Sequence, residues 1–295
     1  MAFVPIGVNA PSNTQPDFNP SNPDGFGNVV NAGLNQIFVW IGGVEDVSIA
    51  EQLNGTTSEG FLRLRNPTQA ELSSPGAYSA ASDIQNIAYP YTNAYHAGQL
   101  AHIVLVPGNE IDFEGCYGSG YVPSPSEYAN WFVQEADALR ARYGVWVASV
   151  APSVTQTGNY TPAAIGQAAN VVTCHCYYLD YRADTYDNEQ FGASWYTLAY
   201  AMVNSWGFTR PLYITEANSG LDPNTPGLTC NDFVTDPNEI ATWMNHVKNH
   251  LYGNMVSGIA FFTTQSVNDP ACAPNSNRPW HINQTQAQLI VQQAP

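Results

Sequence analysis

Short apolar runs recur along the chain, and each run stops at glycine, proline or a polar cluster. Runs of four to eight residues that are rich in Val, Ile and aromatic residues are typical of strands buried on both faces, as in parallel sheets. The pattern predicts eight strands, at Val4–Val8, Gln36–Ile41, Phe61–Leu64, Ile103–Val106, Val145–Val150, Val171–Tyr178, Pro211–Asn218 and Gly258–Thr263.

Several connections between these strands have apolar residues at helical spacing. Two of the helices open with a capping box that has proline at the first helical position, at Ser124-Pro125-Ser126-Glu127 and Asp236-Pro237-Asn238-Glu239. Others are predicted over Asn28–Ala32, Ser82–Gly98, Ala163–Ala169, Trp195–Trp206 and Gln284–Val291. Strands that alternate with helices indicate an α/β fold with a parallel sheet. Eight such repeats in 295 residues predict a (β/α)8 TIM barrel, with residues 1–295 forming one domain with long βα loops.

Two of the predicted strands end in a glutamate. Glu110 follows the run Ile103–Val106 and the pair Pro107-Gly108, and Glu216 ends the run that begins at Pro211. In a (β/α)8 barrel the catalytic groups lie where strands end and βα loops begin. A single glutamate at such a position is commonly a solvated residue, but two in matching positions predict a pair of carboxylates at one reactive face.

The charge of the chain narrows the range of its partners. The net charge is −16, because only eight lysines and arginines stand against 24 acidic residues. A surface of this sign repels phosphate groups, so neither nucleic acid nor an anionic membrane is expected as a partner. No apolar stretch reaches the roughly 18 residues of a membrane helix, and the N-terminal segment lacks the pattern of a signal peptide. Few lysines with many Asn, Gln, Thr and Tyr favour an extracellular, secreted protein, and we expect a monomer.

The five cysteines do not indicate a metal site. Cys230 and Cys272 lie in polar loops, where a disulfide and two free thiols are both open alternatives. Cys174 and Cys176 flank His175 within a strand, so side-chain alternation places both on the face opposite the histidine. That placement is wrong for binding one ion through all three side chains. We therefore expect buried free thiols at these two positions, no metal and no cofactor.

The order of these motifs resembles that of the clan A glycoside hydrolases, retaining enzymes built on a (β/α)8 barrel. The resemblance rests on Asn109-Glu110 after the fourth strand, His175-Cys176-Tyr177 in the sixth and Ile214-Thr215-Glu216 in the seventh. It implies that Glu110 is the acid/base and Glu216 the nucleophile. It also implies that Asn109 binds the sugar 2-hydroxyl, and that His175 and Tyr177 complete the site, with Tyr177 contacting the nucleophile.

Two features of that clan are missing from their usual positions. Clan members usually have an arginine near the end of strand two, whereas the first arginines of this chain are Arg63 and Arg65. A tryptophan is usual after strand eight, where this chain has Phe261 and Phe262. The family within the clan is therefore left open.

Aromatic side chains are expected to bind the sugar, because the faces of pyranose rings pack on aromatic rings. The candidates are Trp40, Tyr117, Tyr121, Tyr178, Trp195 and Trp280. Trp40 and Tyr178 are favoured by their positions at strand ends, and ordinary core packing is the alternative for each of the six.

These residues favour retaining hydrolysis of β-glycosidic bonds in an oligo- or polysaccharide, with endo action preferred to exo action. One alternative is a barrel that binds glycans without cleaving them, such as an adhesin or a pseudoenzyme. Another is a metal-dependent hydrolase centred on His175 and nearby acids, which chelation would inactivate. The sugar and the linkage stay open at this stage, since both a neutral glycan and a cationic one fit the charge.

Overall fold

Eight parallel strands form the centre of the fold. The computed structural model describes residues 5–9, 26–41, 47, 50–51, 59–153, 156–178, 194–219, 237–261 and 284–293. The strands are β1 (Ile6–Asn9), β2 (Ile37–Ile41), β3 (Glu59–Arg63), β4 (Val104–Val106), β5 (Trp146–Val147), β6 (Val172–Tyr178), β7 (Leu212–Ser219) and β8 (Val256–Phe261). Each strand overlaps one of the eight predicted segments, so the predicted strands are confirmed.

The strands form one sheet that closes on itself. Their hydrogen-bonded order is β5-β4-β3-β2-β1-β8-β7-β6, so the first strand of the chain pairs with the last. The two strands at the ends of this order also meet, because Ala148 and Val171 form a parallel bridge. Backbone hydrogen bonds from Ser149 N to Val171 O (3.0 Å) and from Asn170 N to Val147 O (2.8 Å) flank that bridge. The predicted (β/α)8 barrel is therefore confirmed.

Helices alternate with the strands along the chain. Within the described residues they are α1 (Phe26–Asn31), α2 (Gln69–Leu72), α3 (Ala77–Ala80), α4 (Ser82–His96), α5 (Ile111–Glu114), α6 (Pro125–Tyr143), α7 (Thr157–Tyr160), α8 (Ala163–Ala168), α9 (Ser194–Ala201), α10 (Pro237–Asn249) and α11 (Gln284–Gln293). The predicted helices are confirmed, except that Met202–Trp206 continues α9 as a π-helix. In the described part of the chain, no helix combines the length and the apolar character needed to cross a membrane.

Four helices of a single turn were not predicted, namely α2, α3, α5 and α7. Four residues are too few to display a helical period, so each looks like loop in the sequence. The helix α2 has local capping instead, because Thr68 Oγ1 accepts from Glu71 N (3.3 Å) and Glu71 Oε2 accepts from Thr68 N (2.7 Å). This turn fixes the course of the loop that follows β3.

Alternation of side chains along the strands separates the barrel interior from the outer layer. Phe61 on β3 and Tyr213 on β7 belong to strands that are not neighbours, yet their rings lie 4.9 Å apart, so both face the interior. Val39 on β2 lines a cleft at the C-terminal ends of the strands. Trp40 is the next residue and therefore faces the opposite way, stacked on Phe38 at 5.3 Å with only 2% of its surface exposed.

The cysteines of β6 face away from the interior, as expected. Cys174 and Cys176 are buried with free thiols, which confirms the prediction for this pair. Burial raises the pKa of the Cys174 thiol well above its ordinary value, so this residue is an inert part of the core rather than a reactive nucleophile. Cys230 and Cys272, for which a disulfide was one alternative, lie outside the described residues.

Candidate active site

A cleft opens at the C-terminal ends of the strands, where the catalytic groups of a barrel enzyme lie. Six strands, or the segments directly after them, supply its lining, which consists of Val39, Arg63, Val106, Gly108, Asn109, Ala151, His175 and Thr215. Both predicted carboxylates, Glu110 and Glu216, contact His175 of this lining. The lining therefore includes His175 and Asn109 of the predicted site residues, and Glu110 and Glu216 contact it through His175.

Glu110 has an unusual backbone conformation. Its φ of 35° and ψ of 52° lie in the left-handed region, and no other non-glycine residue of the described chain has a positive φ. Such a conformation costs about 1–3 kcal/mol and persists only when the surroundings impose it. Here Glu110 N donates to Ala151 O (3.0 Å), and Glu110 O accepts from the backbone N of Phe113 (2.8 Å) and Glu114 (2.7 Å). Through these bonds the chain changes direction at Glu110, the acid/base candidate, between the end of β4 and the start of α5.

Asn66, in the loop after β3, holds the segment that precedes Glu110. Its side chain accepts from Asn109 N (2.7 Å) and donates to Asn109 O (2.8 Å) and Gly115 O (2.9 Å). Gly108, with a φ of 137°, passes so close that a Cβ there would lie 2.3 Å from Asn66 Oδ1. Glycine is therefore required at position 108, and Asn66 is a site residue that the sequence analysis missed.

A β-bulge directs Glu216 into the cleft. Between β6 and β7 the pairing passes from Cys174 with Ile214 directly to His175 with Glu216, so Thr215 is an extra residue in β7. The pairing with β8 skips in the same place. Strict alternation from Tyr213, which faces the interior, would turn Glu216 outward. The extra residue reverses this, and bulges commonly redirect side chains in this way next to active sites.

His175 lies between the two glutamates. Its Nδ1 is 2.9 Å from Glu110 Oε1 and 3.6 Å from Glu216 Oε2. The two oxygens are therefore no farther apart than the sum of these distances, so the two carboxylates lie close together at this end of the barrel.

Arg63 pairs with the other oxygen of Glu216. Its Nη2 lies 2.5 Å from Glu216 Oε1, and both side chains are nearly buried, with 8% and 6% exposed. A positive charge at this distance favours the ionised form of the carboxylate. Arg63 is the last residue of β3, and its pairing with Glu216 was not predicted from the sequence.

We expect Arg63→Met to destabilise the protein as well as to impair any activity that needs an ionised Glu216. Removing one partner of a buried ion pair leaves an uncompensated charge and typically costs about 3–5 kcal/mol. Chemical denaturation measures this loss in the free energy of unfolding, with the exposed Arg142→Met as the matched control. The double variant Arg63→Met/Glu216→Gln should recover most of the loss, and failure to recover it would contradict the pairing.

The aromatic candidates are placed very differently from one another. Trp40 and Trp195 have 2% and 0% of their surfaces exposed, so they pack in the core and present no face to a ligand. Tyr117 and Tyr121 are exposed on the loop after β4, and Tyr117 also packs on the guanidinium of Arg65 at 5.1 Å. The prediction that Trp40 binds sugar therefore fails on its orientation.

The side chains of three other predicted residues lie outside what the structure describes. Tyr177 and Tyr178 end β6, and the structure describes their backbone but not their side chains. Trp280 lies outside the described residues. Among the residues that are described, no group of three or more His, Cys, Asp and Glu side chains could hold a metal ion.

No protein-family model matches the chain, and no curated protein sequence matches it. Solved structures do superpose on it. A GH2 β-galacturonidase from Eisenbergiella tayi, bound to galacturonate, does so with a TM-score of 0.59 and 11% identity, over 99% of this chain and 51% of that one. A GH128 (subgroup II) endo-β-1,3-glucanase from Sorangium cellulosum gives a TM-score of 0.51 and 12% identity, over 98% of each chain. A GH5-4 broad-specificity endoglucanase from Clostridium acetobutylicum gives 0.55 and 9%, over 98% of this chain and 97% of that one.

The chain thus spans about half of the GH2 enzyme and nearly all of the other two. Identities of 9–12% show a shared fold and nothing finer. The resemblance to the clan A glycoside hydrolases is therefore confirmed at the level of the (β/α)8 barrel.

Proposed function

We propose that this protein is a retaining β-glycosidase, with Glu216 as nucleophile and Glu110 as acid/base. The observation that carries the proposal is that both carboxylates lie next to one imidazole nitrogen, Nδ1 of His175, at the catalytic end of the barrel. The similar folds of a β-1,3-glucanase, an endoglucanase and a β-galacturonidase support a β-linked glycan as the substrate.

The reaction takes two displacements at the anomeric carbon. In the first, Glu216 attacks this carbon while Glu110 gives its proton to the glycosidic oxygen, which leaves with the electron pair of the broken bond. In the second, Glu110 takes a proton from water, the water oxygen attacks the anomeric carbon, and Glu216 leaves as the free carboxylate. Glu110 is then protonated again, and the configuration of the sugar is retained.

The neighbours of the two glutamates suit these roles. Arg63 and His175 contact different oxygens of Glu216, so the nucleophile is held ionised and oriented toward the cleft. Nδ1 of His175 lies within hydrogen-bonding distance of Glu110 Oε1, at 2.9 Å, but not of Glu216 Oε2, at 3.6 Å, so we assign its N–H to Glu110. This leaves Oε2 of Glu110 to carry the proton. We assign the sugar 2-hydroxyl to the carboxamide of Asn109, which lines the cleft.

The substrate proposed is an extracellular polysaccharide, cleaved internally by a secreted monomer. We expect hydrolysis on a panel of β-1,3-glucan, β-1,4-glucan, β-1,4-galactan, β-mannan and chitosan to release oligosaccharides of several lengths. Proton NMR of the first products should show new reducing ends in the β configuration, whereas an α product would contradict the retaining mechanism. Binding to a glycan of this panel without cleavage would favour a non-catalytic glycan-binding barrel instead.

A further inference from the structure

A third glutamate approaches the two proposed catalytic residues. Glu114 ends α5, one helical turn after Glu110, and it is exposed to solvent. Its Oε1 accepts from Asn109 Nδ2 at 2.7 Å, and its Oε2 accepts a longer bond from Asn66 Nδ2 at 3.3 Å. Glu114 therefore touches both asparagines that define the segment before Glu110.

The bond from Asn109 fixes which way its carboxamide points. An ionised carboxylate has acceptors only, so the amide nitrogen of Asn109 must face Glu114. One N–H of that nitrogen and the amide oxygen are then left for a ligand in the cleft. The backbone of Asn109 is already held on both sides by Asn66, so Glu114 fixes the remaining rotation of the side chain.

Glu114 also interacts electrostatically with the groups around it. Burial raises the pKa of its carboxyl, the hydrogen bond from Asn109 opposes this rise, and the negative charges of Glu110 and Glu216 add to it. Arg63 on β3 is the facing positive charge and lowers the pKa.

We propose that Glu114 is a positioning residue for the reaction, which orients the carboxamide of Asn109 toward the sugar. This inference rests on the proposed function. It adds a third carboxylate, acting through Asn109, to the pair that performs the two displacements.

Two variants test this role of Glu114. Glu114→Gln keeps an oxygen that accepts from Asn109, so its kcat should stay close to that of the wild type. Glu114→Ala removes the acceptor and should lower kcat roughly 10-fold or more, because the amide of Asn109 is free to rotate. Asp137→Ala, whose side chain is 78% exposed on α6, is the control for truncation of an exposed carboxylate.

Stability distinguishes positioning from a merely structural role. The folded-state pKa of Glu114 is raised, so its contribution to stability is present at low pH and is lost as the pH rises through that pKa. At neutral pH Glu114→Gln should therefore unfold at the same temperature as the wild type or a higher one. A lower unfolding temperature of Glu114→Ala together with the kcat of the wild type would overturn the proposal.

A titration that needs no activity tests the contact directly. Carbon NMR of the Glu114 carboxyl, compared between the wild type and Asn109→Ala, should show titration at higher pH in the variant, because the hydrogen bond that favours the ionised form of Glu114 is gone. An unchanged titration would overturn the proposal even if glycan hydrolysis is found. If no glycan is hydrolysed while the titration shifts, the proposed function fails and the contact between Glu114 and Asn109 stands.

Discussion

Replacing Glu216 by glutamine is expected to abolish turnover of every β-glycoside that the protein hydrolyses, with kcat lower by roughly 10⁴-fold or more. Glutamine has nearly the same shape as glutamate, but its amide oxygen is a poor nucleophile, so the glycosyl-enzyme ester does not form. The loss should be equally deep for poor and good leaving groups, because the bond to Glu216 forms in the first step in either case. Steady-state and single-turnover hydrolysis measure this loss.

The matched control for Glu216→Gln is Glu127→Gln. Glu127 lies in the first turn of α6, where its carboxylate accepts from the hydroxyl of Tyr121, and it is not part of the cleft lining. Because Glu216 is buried against Arg63, the thermal unfolding of the Glu216 variant is measured alongside its activity. A folded Glu216→Gln protein with the activity of the wild type would end the assignment of the nucleophile.

The ends of the strands could be predicted from the sequence because the strands are buried on both faces. The run Ile103–Val106 is apolar throughout and stops at proline and glycine, and β4 indeed ends at Val106 with Glu110 close behind it. The parallel sheet then brings all such strand ends to one side of the barrel. For this reason the strand ends predicted that Glu110 and Glu216 lie at one face of the barrel, and the resemblance added His175.

The orientation of Glu216 could not be predicted from the sequence in the same way. A period of two would place it on the face opposite Tyr213 and Thr215, pointing out of the barrel. The bulge at Thr215 changes that face, and it depends on how β7 pairs with β6 and β8, which no local pattern records. The motif resemblance pointed to Glu216 without reference to its orientation, whereas strict strand alternation would have excluded it.

The remaining discrepancies also arise from contacts between distant segments. Asn66 binds Asn109 across 43 residues, and Arg63 reaches Glu216 from a strand on another part of the barrel. Neither residue belongs to a sequence motif. For Trp40 the error has a local cause. Its position near a strand end suggested that it lies in the cleft. However, its neighbour Val39 faces the cleft, so alternation along the strand turns Trp40 away from it.

Replacing Glu110 by glutamine is expected to slow hydrolysis to an extent that depends on the leaving group. A sugar hydroxyl leaves poorly without a proton, so kcat/KM for a polysaccharide should fall by roughly 10²–10⁴-fold. A nitrophenyl glycoside releases a phenolate that needs no proton, so its first step should be nearly as fast as in the wild type. Comparing polysaccharide hydrolysis with release of nitrophenol measures this difference.

The second step gives Glu110→Gln a further signature. Without a base to take a proton from water, the glycosyl-enzyme on Glu216 should accumulate, so that KM for the nitrophenyl glycoside falls and a burst precedes slow turnover. Azide attacks without losing a proton, so adding it should restore turnover and yield a β-glycosyl azide. An equal loss for all leaving groups, with no effect of azide, would remove the acid/base role from Glu110 while leaving Glu216 as the nucleophile.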